Sequence, residues 1–176
     1  MRTGKCLCGM CSYEIDDEPI VIAVCHCTDC QRLSGTGHTT GAMFPESSIR
    51  LFGQPATYKI ESNAGNTVTR LFCGTCGSPL FGKNTGMPGF MTVAMGTLDT
   101  SDGMLPQVEI FTRNQRAWDH PNPAIESYDT QPGWKPTDIT FSRTTRNHIT
   151  ICAITNTSPS VAAFQLNVRS HGTPAA

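Results

Sequence analysis

Apolar and polar residues alternate along this chain in short runs, separated by glycine, proline and asparagine turns. Alternation with a period of two turns one face of a strand toward a core, and short apolar runs between turn residues are typical of strands. Residues 28–34 alone predict a short helical turn. The pattern predicts an all-β domain with little helix and with strands at 11–15, 20–24, 39–44, 48–52, 56–61, 67–72, 89–95 and 107–111.

The pattern changes in the last third of the chain. Residues 118–136 contain four prolines and two tryptophans, so we expect this segment to wrap across the domain rather than form a central strand. Beyond it, apolar runs at 148–155 and 161–168 predict a terminal hairpin, with a poorly ordered tail as the alternative. Such a hairpin would dock on the domain or on a second copy, which leaves a homodimer as an option. We therefore divide the chain into a domain at 1–136 and a C-terminal extension at 137–176.

Composition and charge narrow the possible partners. The chain has 176 residues, enough for one domain with an appendage, and 13 basic residues against 14 acidic ones. With a net charge of -1 and no basic tract, neither nucleic acid nor an anionic membrane surface is an expected partner. No apolar run approaches the roughly 20 residues that span a bilayer, and the first residues lack the apolar core of a signal peptide. We expect a soluble, cytoplasmic protein whose cysteines stay reduced.

Eight of the nine cysteines lie in the first half of the chain, where reduced cysteines favour metal ligation or thiol chemistry. Cys6 and Cys8 form a CxC pair, whose side chains share one face of an extended chain. Cys73 and Cys76 form a CxxC pair. Four thiolates complete tetrahedral zinc, so this set predicts a closed, structural zinc site, with free or buried thiols as the alternative. The ninth cysteine, Cys152, lies in an apolar run and is predicted to be a packing residue.

A second cluster, Cys25, Cys27 and Cys30, offers three thiolates within six residues. Three ligands leave a fourth tetrahedral position for water or substrate, which is typical of catalytic zinc. His26 lies between two ligands that share a face, so its ring is predicted to point away from the metal. The alternative is a further structural site completed by Cys11 or another group. We expect Cys11 itself to be a buried thiol.

Four segments carry a resemblance to a known family: GKCLCGMCSYEI at 4–15, CHCTDCQRLSG at 25–35, LFCGTCGSPLF at 71–81 and MGTLDTSDGMLPQVEIFTRNQRAWDH at 95–120. They resemble the glutathione-dependent formaldehyde-activating enzymes, a family grouped with centromere protein V. The resemblance covers about residues 4–134. It implies a β-tent fold of small antiparallel sheets with two Zn²⁺ ions at their edges. Cys6, Cys8, Cys73 and Cys76 would hold the structural ion, and Cys25, Cys27 and Cys30 the catalytic one.

The sequence departs from the family pattern at three places: Cys11, His38 and the extension at 137–176. The first two changes leave the substrate open.

The resemblance also implies a reaction. It is that of a carbon–sulfur lyase, which adds a thiol such as glutathione to a small aldehyde such as formaldehyde, or runs the reverse cleavage. Proton transfer needs a base, and His38 is the first candidate, ahead of Asp29 and a zinc-bound hydroxide. Glutathione carries two carboxylates, for which four arginines are available. They are Arg32, Arg70, Arg113 and Arg116.

Two other functions remain open from the sequence. The first is a zinc enzyme of the same fold that acts on a different metabolite without glutathione. The second is a non-catalytic zinc module that binds a macromolecule, against which the missing basic tract argues.

Overall fold

The computed structural model describes residues 1–120 and 122–134, together with the backbone of two short strands in the C-terminal extension. Its one α-helix, α1, spans Thr28–Ser34. Three single 3-10 turns lie at Glu46–Ser48, Met95–Thr97 and Thr112–Asn114. The strands of the described residues are β1 (Arg2–Lys5), β2 (Ser12–Ile15), β3 (Val21–Cys25), β4 (Thr39–Pro45), β5 (Ile49–Phe52), β6 (Ala56–Glu61), β7 (Thr67–Phe72), β8 (Pro79–Asn84), β9 (Phe90–Ala94), β10 (Val108–Ile110), β11 (Glu126–Tyr128), β12 (Ile139–Phe141) and β13 (Ile151–Ala153).

These strands form three sheets. A three-stranded antiparallel sheet has the order β1-β2-β5, and an eight-stranded sheet has the order β11-β10-β3-β4-β9-β8-β7-β6. The large sheet is antiparallel except at one edge, where β10 pairs in parallel with both β3 and β11. The predicted all-β fold with antiparallel sheets and one short helix is confirmed.

The core lies between the two larger sheets. Tyr13 and Ile15 from β2 are buried in one cluster with Ile22, Phe44 and Val93 from the large sheet. Burial alternates along β2 and β9 with a period of two, as expected for strands that turn one face to a core. Burying a side chain of this size stabilises the fold by about 1.5–3 kcal/mol, so this cluster holds the two sheets together.

The proline-rich segment returns to the large sheet. Within it, β11 adds a strand at the sheet edge beside β10. At an edge, a proline-rich chain can pair without removing hydrogen bonds between central strands. The Trp134 ring packs edge-on against Tyr128 at a centroid distance of 6.5 Å. The β11 pairing holds this segment against the domain, and the ring contact joins two residues within the segment.

Only the first of the two runs predicted to form a terminal hairpin, 148–155, falls partly in the described residues, as β13. It pairs antiparallel with β12, a strand that the pattern did not predict, with Thr140 opposite Cys152. The apolar run at 161–168 lies outside the described residues, as do the surroundings of the Cys152 side chain. Within the described part of the chain, no helix has the length and apolar character needed to cross a bilayer.

Candidate metal centres and active site

Four cysteine sulfurs meet at the end of the small sheet. Cys6 and Cys8 follow β1, and Cys73 and Cys76 follow β7. The Cys8 sulfur lies 3.6 Å from the Cys6 sulfur and 3.6 Å from the Cys73 sulfur, and all four lie within 4.8 Å of one another. Sulfurs on a tetrahedral zinc are about 3.8 Å apart, given Zn–S bonds near 2.3 Å. The four sulfurs are therefore close enough together to hold a metal ion of the size of zinc.

Backbone turns hold these four sulfurs in place. The Gly9 N–H donates to the Cys6 carbonyl at 3.1 Å, and the Gly77 N–H donates to the Cys73 carbonyl at 2.9 Å. Both glycines have positive φ, +78° and +75°, which a residue with a side chain adopts only with strain. A hydrogen bond from the Ser78 hydroxyl, aided by backbone N–H groups, lowers the pKa of the Cys76 thiol to about 5. The turn thus favours a thiolate at Cys76, and a thiolate is the form that binds metal.

Cys11 belongs to this end of the molecule. Its side chain is buried, as predicted, and its backbone N–H lies 3.3 Å from the Cys6 sulfur. Burial, followed by the nearby Cys73 thiol, raises the pKa of the Cys11 thiol. The alternative in which Cys11 completes the second cluster is therefore wrong, because Cys11 lies beside the first one.

The second cluster forms where β3 ends and α1 begins. Cys25 is the last residue of β3, Cys27 caps the helix, and Cys30 lies in its first turn. The Cys30 N–H points at the Cys27 sulfur over 3.4 Å. This strand-to-helix turn brings the three sulfurs within 4.8 Å of one another. His26 is not part of the three-sulfur group, as the sequence predicted.

The three thiols of this cluster compete for protons. Hydrogen bonds from Cys25 and Cys27, with a further contribution from the Arg70 guanidinium, lower the pKa of Cys30 to about 2. The hydrogen bonds with Cys27 and Cys30 raise the pKa of Cys25 in turn. A thiolate crowded by two more sulfurs is a donor set suited to a soft or borderline divalent cation.

A shallow groove of about 350 Å³ lies next to this cluster. Arg70 lines the groove and places its Nη2 3.9 Å from the Cys30 sulfur. Its guanidinium lies over Gly82, where an added Cβ would come within 3.1 Å of it. The groove is lined by Asp29, Arg32, Leu33, Tyr58, Ile60 and Arg70. Two of the four candidate arginines therefore share one groove beside the three sulfurs.

The other two candidate arginines are placed differently. The Arg116 Nε donates to the Gln31 side chain at 2.7 Å, and Arg116 lines a second groove of about 320 Å³ on α1. Arg113 is exposed and lines neither of these two grooves.

His38 lies in a cluster that the sequence did not predict. Its Nδ1 is 2.9 Å from Asp119 Oδ2, and the same oxygen is 3.2 Å from Nδ1 of His26. The Glu109 carboxylate lies 3.9 Å from Nε2 of His26. The register explains the meeting of the two histidines: Cys25 pairs with Thr39, so His26 and His38 lie just beyond that end of β3 and β4.

Sequence signals existed for both acidic residues, although neither was identified. Asp119 follows Trp118 in the proline-rich segment, and Glu109 is a charged residue in the middle of an apolar strand. Asp29, the second candidate base, is instead an exposed residue 3.8 Å from Arg32.

The fold and the two cysteine groups define a class of all-β proteins that can hold metal ions on thiolates. The model of the glutathione-dependent formaldehyde-activating enzymes matches residues 1–114. Since this is more than half of the chain, the protein belongs to that family, and the resemblance found in the motifs is confirmed. The family description points to an enzyme that acts on formaldehyde with glutathione.

No curated protein matches the sequence significantly. Among solved structures, the chain is similar to a Rhodobacter sphaeroides protein determined as a structural genomics target. The two share 20% identity over 57% of this chain and 91% of that chain, with a TM-score of 0.47.

Proposed function

We propose that this protein is a zinc-dependent carbon–sulfur lyase and synthase of the cytoplasm. It adds a thiol such as glutathione to formaldehyde or a related small aldehyde, and it also catalyses the reverse cleavage. In the forward direction the thiol S–H bond breaks, a C–S bond forms, and the carbonyl oxygen gains a proton. The observation that carries the proposal is the convergence of the Cys25, Cys27 and Cys30 sulfurs within 4.8 Å, beside a groove with two arginines.

In this proposal the two cysteine groups hold two zinc ions with different roles. Cys6, Cys8, Cys73 and Cys76 would hold a structural ion, since four thiolates leave no open position. Cys25, Cys27 and Cys30 would hold the catalytic ion. When bound there, zinc supplies a Lewis-acid position for a thiolate or a carbonyl oxygen. The Arg70 guanidinium offsets part of the negative charge that three thiolates bring to this place.

We assign the glutathione carboxylates to Arg32 and Arg70. Both line the groove next to Cys30, together with the apolar side chains of Leu33 and Ile60. Arg32 is exposed and lies 3.8 Å from Asp29 as its one ion pair among the described residues, so its guanidinium is available to a ligand. An arginine fork binds a carboxylate with two parallel hydrogen bonds. A tripeptide thiol would thereby be oriented with its sulfur toward the three cysteines.

We assign proton transfer to His38. Its Nδ1 faces Asp119 at 2.9 Å, which leaves Nε2 as the ring atom free to exchange a proton with the substrate. Its side chain is 34% exposed, so the ring is partly open to an incoming molecule. In the forward direction Nε2 takes the proton released by the thiol and passes it to the aldehyde oxygen, and the reverse direction runs these two transfers backwards.

The central experiment removes one sulfur of the three-cysteine group. Cys30→Ser should lower the enzyme-dependent rate on the order of 100-fold or more, because even losing a group that supports a metal ligand costs about 10–100-fold. The rate is followed by NMR exchange between glutathione, formaldehyde and their adduct. Cys11→Ser is the matched control: it removes a buried thiol outside both metal groups and should keep the rate. A folded Cys30→Ser protein with the wild-type rate would refute the catalytic role of this cluster.

A second experiment tests the groove. Arg70→Gln and Arg32→Gln should each raise KM for glutathione by about tenfold, since a hydrogen bond to a charged group contributes about 1.5–3 kcal/mol and 1.4 kcal/mol is tenfold. Cysteamine has no carboxylate, so its KM should not change with Arg32→Gln. Arg113→Gln, an exposed arginine outside the groove, is the control. An equal rise in KM for glutathione and for cysteamine in Arg32→Gln would contradict carboxylate binding. A wild-type protein that is active only on metabolites unrelated to glutathione would point to a different substrate.

A further inference from the structure

Apart from the cysteines, one set of ligating side chains converges on a single point in the described part of the chain. His26, His38 and Asp119 each bring one ligand atom within 4.8 Å of the other two. His26 is 1% exposed, and neither of its ring nitrogens has a hydrogen-bond partner. A buried polar atom left without a partner costs about 1–3 kcal/mol. Two such atoms on one ring indicate that a ligand is missing from this place.

The Asp119 carboxylate hydrogen-bonds Nδ1 of His38 at 2.9 and 3.0 Å, but its close contact with His26 is not a hydrogen bond. Asp119 Oδ2 lies 3.2 Å from Nδ1 of His26, but the two atoms do not meet the geometry of a hydrogen bond. With metal–ligand bonds of about 2.0–2.1 Å, tetrahedral N and O ligands are about 3.3 Å apart. The observed separations from the Asp119 oxygen, 2.9 Å to His38 and 3.2 Å to His26, are close to that spacing.

A second carboxylate lies behind His26, beyond hydrogen-bond distance of its ring. Glu109 is 3% exposed, and its Oε1 lies 3.9 Å from Nε2 of His26, the ring atom opposite Nδ1. The Asn122 N–H and the Ser127 hydroxyl hold this carboxylate at 3.1 and 3.4 Å. A carboxylate behind a histidine is the usual partner of a histidine that binds metal through its other nitrogen. The three-sulfur group does not explain a buried glutamate at this position.

The loops on either side fix Asp119 closely. A Cβ added at Gly37 would lie 2.3 Å from Asp119 Oδ2, so only glycine leaves room for the carboxylate. The Asp119 carbonyl accepts from the Gln115 side chain at 2.8 Å, and the Asp119 N–H donates to the Arg116 carbonyl at 2.9 Å. The carboxylate therefore has little freedom to turn away from the two histidines.

We propose that His26, His38 and Asp119 form a third metal site, which binds a divalent transition-metal cation such as Zn²⁺ through two imidazole nitrogens and one carboxylate oxygen. Such a set leaves at least one position open for water. The partial exposure of His38 gives the cation a path from solvent. A cation on Nδ1 leaves the Nε2–H of His38 as a hydrogen-bond donor, and the proton transfer assigned to His38 belongs to the protein without this cation.

The test counts metal ions on the full-length protein. The protein is loaded with Co²⁺, excess metal is removed by gel filtration, and cobalt per chain is measured by mass spectrometry. We expect three ions in the wild type and two in His38→Ala and Asp119→Asn. His120→Gln, a change at an exposed histidine next to Asp119 in sequence, is the matched control and should keep three. Two different substitutions are used so that a folding defect in one, seen by circular dichroism, does not decide the result.

The cobalt absorption spectrum separates this site from the cysteine groups. Thiolate ligands give intense sulfur-to-cobalt charge-transfer bands, which a site of two histidines and one aspartate lacks. We expect these bands to be unchanged in His38→Ala and Asp119→Asn, while one ion is lost. Equal cobalt content in the wild type and both variants would overturn the third site. If the charge-transfer bands were missing, the cysteine sites of the proposed function would be refuted instead. The difference in cobalt per chain between the wild type and the two variants would still test the histidine site.

Discussion

Gly4 occupies a place where the small sheet has no room for a side chain. It pairs with Tyr13 across β1 and β2, and a Cβ at this position would lie 2.3 Å from the Tyr13 ring and 2.5 Å from the Thr97 carbonyl. Tyr13 is buried and packs edge-on against Phe81. We expect Gly4→Ala to lower the free energy of unfolding by about 1–3 kcal/mol, because the ring and the backbone must both shift.

Urea denaturation measures this difference, and Gly96→Ala supplies the comparison. Apart from Gly96 and its two chain neighbours, no described residue lies within 4 Å of the position that a Cβ would take there, so that substitution should be neutral or slightly stabilising. Equal effects of the two substitutions would show that the Gly4 contact does not limit stability.

At the scale of single residues, sequence predicted the cysteine groups better than the histidine cluster. Spacings of two or three residues put ligands together through local geometry alone, and all seven predicted cysteines lie in the two groups of the structure. Asp119 reaches His26 from a loop more than 90 residues away in sequence. No local pattern encodes such a contact, because it depends on how β10 and the loop after it pack beside β3.

At the scale of elements, the alternation of polar and apolar residues located most strands. The predicted bounds of α1, β6 and β7 agree with the structure residue for residue. The pattern missed β1, β8, β11 and β12, and for the first two there is a physical reason. β1 is a short strand with two charged residues and a glycine, and β8 begins with a proline and contains Gly82. Each is specified by its partner strand rather than by its own residues.

The four-cysteine group joins two elements that are distant in sequence, the turn after β1 and the turn after β7. In our proposal a zinc ion ties these turns together, and structural zinc contributes on the order of 10 kcal/mol in small domains. We therefore expect Cys73→Ser to lose this ion and to lower the melting temperature far more than Cys30→Ser does. Metal content and thermal unfolding by circular dichroism measure both effects. A Cys73→Ser protein that melts like the wild type would show that the group is not structural.

At the scale of the whole molecule, the described core and the candidate sites use only the first part of the chain. The buried cluster runs from Cys6 to Met104, the family model matches residues 1–114, and the cluster at His38 ends at Asp119. The division into a domain at 1–136 and an extension at 137–176 remains a prediction. It implies that the extension contributes to assembly rather than to the metal groups.

Truncation after Pro136 tests this division. The apolar runs at 148–155 and 161–168 need to be covered, because exposed apolar strands invite pairing with another chain. We therefore expect the full chain to be a dimer and the truncated chain a monomer with unchanged metal content and circular dichroism. Light scattering coupled to gel filtration gives the two masses. If the truncated chain instead loses its metal and unfolds, the extension belongs to the domain. If both proteins have the same number of chains per particle, the extension plays no part in assembly.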